Sequence, residues 1–243
     1  MYKLSKKELQ STQKSAENLF IEETIKEILD DGFYGQTSHL SKEEKYQFVK
    51  RAFSEAEGYG IELKPDYWYW LIVEFTLGED FMKSPLYKVT ISNYMYRENN
   101  KQVLDIDGLC EEVIEWINSD VLPVDTGIGR HLKDFIPIEA QDTKTYLQTL
   151  KLKDTKKYEC MGEKNILDFL KEAQRNFSQY PFKDNKDKGY WYLSLAWFLG
   201  VDFLINVCYH DLKEVFLKSE DTQEIQIYMN LHIEQYHDWF EKQ

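Results

Sequence analysis

Residues 67–81 read YWYWLIVEFTLGEDF, and residues 189–203 read GYWYLSLAWFLGVDF. Both stretches open on clustered aromatics and close on Leu-Gly-x-Asp-Phe. Of the eleven residues from Tyr67 to Leu77, only Glu74 and Thr76 are neither aliphatic nor aromatic. A helix apolar on nearly every side is a central, buried helix, and a buried strand is the competing reading of such a run. Three features favour the helix. The run is long, Pro65 stands where a first-turn proline is tolerated, and Gly78 stands where a helix-ending glycine is expected.

A shift of 122 residues aligns the two stretches without a gap. Leu71, Leu77, Gly78, Asp80 and Phe81 fall on Leu193, Leu199, Gly200, Asp202 and Phe203. Trp70 falls on Tyr192, Phe75 on Trp197 and Tyr87 on Tyr209. The shift is half the chain, so the sequence reads as two related helical halves, 1–98 and 105–243, packed as one unit. Gly78, Asp80, Gly200 and Asp202 are then the turn residues at which each central helix ends. The aspartates are expected to satisfy backbone N–H groups there. A catalytic pair, with the two carboxylates dividing acid and base roles, is the alternative.

Helix signals dominate the remainder. Ser5 with Glu8 and Ser41 with Glu44 have the spacing of capping boxes. The first opens a helix to about Asp31; the second opens one whose buried face is Phe48, Val49, Ala52, Phe53 and Ala56. Ser84-Pro85 starts another helix, and Asp107 caps one over 108–118 with Leu109, Val113, Ile114 and Ile117 on one side. Residues 98–106 read as a connection. The stretch near 140–160 reads as a helix end, a β-hairpin or an irregular cover. Residues 162–177 are helical, and a last helix spans about 219–241. The expected fold is all-α, a multi-helix bundle.

The chain has 243 residues, a net charge of −13 and 42% hydrophobic residues. An acidic chain of this kind repels nucleic acid and anionic membranes and suits a basic partner. The N-terminus MYKLSKKELQ has no apolar core of a signal peptide, so a cytoplasmic location is expected. Cys110, Cys160 and Cys208 are isolated, which argues against a disulfide framework or a zinc site.

Chemistry-bearing motifs are sparse. His232 and His237 in HIEQYH are five apart, which turns the rings about 140° from each other on a helix, so no metal site is expected, and no cofactor either. Asp125-Thr126-Gly127 matches the tripeptide of aspartic proteases but occurs once, where two copies are needed. Gly127 and Gly129 lack the third glycine of a phosphate loop, and His131 follows them without a partner motif. Serine and cysteine nucleophiles lack a recognisable setting, so the chain reads as a non-enzyme. Glu74, alone in an apolar helix beside Asp80 and Asp202, is the carboxylate centre of an alternative, enzymatic reading. The remaining resource is acid: Glu111, Glu112, Asp184 and Asp187 are candidate contacts to a basic protein.

Two stretches carry a family resemblance. Tyr59, Gly60, Ile61, Leu77, Gly78, Asp80 and Phe81 resemble a helical segment of small proteins encoded beside bacterial type VI secretion effectors. Gly189-Tyr190-Trp191, Ala196, Leu199-Gly200-Val201-Asp202 and Tyr209-His210-Asp211-Leu212 are similar to a stretch of PoNi-type immunity proteins, which neutralise DNase toxins. Phe203 stands where that pattern has a second aspartate, and the double tyrosine and proline before Asp211 are absent. The resemblance implies an all-α, cytoplasmic, non-enzymatic protein that binds a cognate toxin. The first stretch alone implies the alternative of an adaptor or chaperone for a secreted effector.

Overall fold

The computed structural model describes residues 6–33, 37–119, 121–122, 137–140, 142–206, 209–219 and 221–230. The Asp125–Gly129 motif, His131, His232, His237, Cys208, Ser5 and the end of the last expected helix lie outside them. Helices account for 69% of the described residues. They are α1 (Lys6–Thr24), which continues as a π-helical turn (Ile25–Asp30), α2 (Lys42–Gly58), α3 (Lys64–Leu77) and α4 (Lys88–Tyr94). A hairpin of β1 (Met95–Glu98) and β2 (Lys101–Leu104) follows. Then come α5 (Ile106–Asn118), α6 (Thr143–Lys153), α7 (Thr155–Met161), α8 (Glu163–Phe177), α9 (Lys186–Leu199) and α10 (His210–Lys218).

The two aromatic stretches are α3 and α9. Trp70, Leu71, Val73 and Leu77 on the first, and Trp191, Tyr192, Leu195, Ala196, Trp197 and Leu199 on the second, are buried in one hydrophobic cluster that draws on both halves. Each helix ends at a glycine with positive φ, 102° at Gly78 and 86° at Gly200, a conformation that needs a residue without Cβ. The capping box of Ser41 and Glu44 is formed in full at the start of α2. Ile114 departs from the expected inward face of α5 and is 45% exposed. Asp105, not Asp107, caps that helix, its side chain accepting from the Gly108 N–H.

The small β element lies at 95–104, not near 140–160. β1 and β2 pair antiparallel, Met95 with Leu104 and Glu98 with Lys101. Asn99 and Asn100 both have positive φ, the geometry of the tight turn whose twist suits a hairpin. Residues 143–161 form two short helices instead. Asp142 caps α6 through the Thr145 N–H, and the buried Lys157 donates to the Trp197 carbonyl at the end of α9.

The repeat extends well beyond the aromatic stretches. α4 and α10 also start 122 residues apart, and α2 and α8 start 121 apart. Buried Lys45, Phe48, Val49 and Ala52 on α2 match buried Ile166, Phe169, Leu170 and Ala173 on α8 at that shift. The turn hydrogen bonds repeat as well. Phe81 N–H donates to the Gly78 carbonyl and Phe203 N–H to that of Gly200; Ser84 donates to Phe81 and Asn206 to Phe203; Tyr87 donates to Ser84 and Tyr209 to Asn206. The halves therefore share a helix–helix–turn–helix unit, and not only an aromatic composition.

Candidate functional site

The two glycine turns meet each other. A Cβ built on Gly78 would lie 3.0 Å from the Leu199 carbonyl oxygen and 3.5 Å from the Gly200 Cα. One built on Gly200 would lie 3.8 Å from the Gly78 Cα and 3.9 Å from the Leu77 carbonyl oxygen. The contact is reciprocal, as a local two-fold relation requires. It brings the Asp80 and Asp202 carboxyl groups into hydrogen-bonding contact at a small recess that Ser84 and Asn206 also line.

Two carboxyl groups this close cannot both ionise easily, so one proton is shared between them. The surroundings decide where it resides. Burial pushes Asp80 up, but hydrogen bonds from Lys83 and Asp202 and the charges of Lys83 and Arg51 outweigh burial and hold it low. Lys83 Nζ is 2.7 Å from Asp80 Oδ1. For Asp202, burial, the Asp80 contact and the Glu172 charge all act upward, to about 7. Asn176 Nδ2 donates to Asp202 Oδ1 at 2.8 Å. The shift of 121 that relates α2 to α8 puts Glu172 in the place of Arg51. The two halves thus present a cation to one aspartate and an anion to the other.

Glu74 lies beside this junction, 2% exposed. Its carboxylate accepts from Arg51 Nη2 at 2.5 Å and from Trp70 Nε1 at 3.0 Å. Burial pushes its pKa up to about 7 even though Arg51 opposes the change. Arg51 also reaches Glu79 at 2.5 Å and Glu55 at 3.5 Å. Burial disfavours the guanidinium charge, and the three carboxylates more than compensate, so its pKa is raised. In the second half, Ala196 occupies the position of Glu74.

The acidic candidates separate into two groups. Glu111 is exposed on α5, and Glu112 is half-buried and accepts from the Tyr94 hydroxyl. Asp184 and Asp187 are exposed in the turn and first turn of α9, where a negative side chain favours the helix N-terminus. Among the described residues, no hydrogen bond or ion pair joins one group to the other. What α5 adds was not read from the sequence. Asp107, Glu111, Ile114, Glu115 and Asn118 are all exposed, and their spacing puts them along one face. Asp105 and Asp107 raise the pKa of Asp66 on α3, after burial, so the acidic field extends onto the start of that helix. Among the described residues, Asp105, Asp107, Glu111, Glu112 and Glu115 form no ion pair.

No described group of histidine, cysteine and carboxylate side chains has the arrangement of a metal site. Cys110 is buried, and burial pushes its thiol up to about 11, far from a reactive thiolate. Among the described residues, no helix is long and apolar enough to cross a membrane. Comparison of the chain with protein-family models, with curated proteins and with solved structures finds no significant match.

Proposed function

We propose that this chain is an immunity protein that binds an antibacterial toxin with a basic surface, a nuclease by class, and neutralises it by stoichiometric cover. The observation that carries the reading is the outer face of α5. Three carboxylates, Asp107, Glu111 and Glu115, flank an exposed Ile114 on a helix whose opposite side, Leu109, Val113 and Trp116, is fixed in the core. A rigid helix that presents one apolar side chain within exposed acid has the anatomy of a binding surface: an anchor to desolvate and a charged rim to guide encounter. A nuclease carries basic groups where it holds phosphates, so it has the complementary sign. The net charge of −13 adds a long-range attraction of the same sense.

The test is genetic and biochemical. A product of a neighbouring gene should be toxic when expressed alone, be tolerated when this chain is co-expressed, and co-purify with it. Continued toxicity without a complex would reject the reading. Deletion that blocks export of an effector, while leaving the cell resistant to its siblings, would assign the adaptor role instead.

A further inference from the structure

We propose that the Asp80–Asp202 contact is a proton-operated latch: the turns of the two halves close on each other while one proton is shared, and loosen when it leaves. The geometry carries this. The turns approach so closely at Gly78 and Gly200 that no side chain separates them. The two carboxyl groups are therefore carried on backbone segments that touch, two residues beyond each glycine, and repulsion between them acts directly on that contact. Each turn is itself held by the same short series of backbone hydrogen bonds, so it moves as a unit.

The charged groups around the pair fix the direction. From α2, Arg51 faces Asp80; from the turn after α3, Lys83 binds it and Glu79 lies next to it. From α8, Glu172 faces Asp202 and Asn176 donates to it; Tyr180, in the turn after α8, and Tyr192, on α9, feel its charge. Among the described residues, Arg51 and Lys83 both hold Asp80 low, and Lys83 also favours the Asp202 charge, but burial, Asp80 and Glu172 outweigh it. When the proton leaves, the second negative charge is therefore placed beside Glu172 and Asp80, with Lys83 already bound to Asp80. A carboxyl held up to about 7 in the closed junction, against an ordinary 3.8, binds its proton more tightly closed than open. Opening then becomes easier as pH rises from about 4 to about 7 and changes little beyond, because both states are ionised there.

Hydrogen exchange of the full chain, read on segments 78–84 and 200–206 and corrected for intrinsic chemical exchange, tests this. The opening constant of both segments should rise by up to about tenfold per pH unit between pH 5 and pH 7 and level off above. Asp202→Asn, which keeps a donor to Asp80 at every pH, should flatten the profile, and Glu74→Gln should leave it unchanged. A flat wild-type profile, a slope retained in Asp202→Asn, or a slope abolished by Glu74→Gln would each overturn the latch. Carboxyl-carbon NMR of the wild-type chain is independent of the variants' folding. The Asp80 and Asp202 signals should both respond to one titration near pH 7; separate titrations below pH 5 would overturn the proposal.

Discussion

Gly78 packs its backbone against that of Gly200, with 3.0 Å between the Leu199 carbonyl oxygen and the point where a Cβ on Gly78 would sit. Gly78→Ala therefore meets two costs, a φ of 102° that side chains rarely adopt and a backbone atom in the way. It should lose about 3 kcal/mol of stability in urea unfolding. Gly200→Ala meets strain at φ 86° but no contact under 3.8 Å, and should lose about 1–2 kcal/mol. Equal losses would argue against the asymmetry of the contact.

Arg51 is the counter-ion of a carboxylate that has almost no access to water. Arg51→Met strands Glu74 in the core and should cost about 3 kcal/mol in chemical denaturation, because an uncompensated buried charge is costly. The double variant Arg51→Met with Glu74→Met should recover most of that loss. The second half already runs without such a carboxylate, with Ala196 in the place of Glu74. A double variant as unstable as the single one would show that Arg51 acts through Glu79 or Glu55.

The buried Glu74 makes stability depend on pH. Its pKa is raised on folding, from an ordinary 4.5 to about 7. The proton-linked stability is full below about pH 4.5 and is lost as pH rises through about 7. The slope in that window is at most about 1.4 kcal/mol per pH unit. Urea unfolding at pH 5 and pH 8 should show the wild-type chain losing more stability than Glu74→Gln over the same interval. Parallel losses in the two proteins would remove Glu74 as a source.

The outer face of α5 should be separable from the fold. Glu111→Lys with Glu115→Lys exchanges exposed, unpaired charges and should change stability by no more than about 0.5 kcal/mol. Against a basic toxin partner, the same pair should slow association about tenfold or more at low salt, and the deficit should shrink as salt is raised. Ile114→Ala should act differently, mainly by raising the dissociation rate. Surface-based kinetics at two ionic strengths would distinguish the effects; unchanged kinetics would move the interface elsewhere, Asp184 and Asp187 being the next surface to test.

Much of the architecture was legible in the residues. The apolar run from Tyr67 to Leu77, closed by Gly78, encodes its helix and its end because burial and glycine chemistry act locally. The Ser41–Glu44 box does the same for α2. The hairpin was carried by a weaker signal, two adjacent asparagines between short polar segments, which side-chain hydropathy does not register. The helices over 143–161 were obscured by lysines and threonines with little periodicity, and their buried positions depend on partners such as the Trp197 carbonyl. At the junction, Gly78, Asp80, Gly200 and Asp202 stood out, but the pairing of the aspartates depends on how the two halves pack. Arg51 reaches Glu74 from another helix, and Glu172 takes the place of Arg51 only after the shift changes from 122 to 121. Neither relation exists in local sequence. The acidic face of α5 was half visible, because Ile114 adjoins Val113 in the sequence and shares its apolar character while pointing to the other side of the helix.

The reciprocal contact at Gly78 and Gly200 also divides the molecule by how freely it can change. At a local two-fold axis each copy is the other's environment, so a replacement in one turn is tested at once by its twin. Around the contact the halves differ: Glu172 stands where the first half has Arg51, Ala196 stands where it has Glu74, and α5 carries an acidic face of its own. The axis behaves as a shared hinge pin that holds both copies to one shape. The side chains around it are not held to that likeness, so the two halves can differ in charge while keeping one backbone.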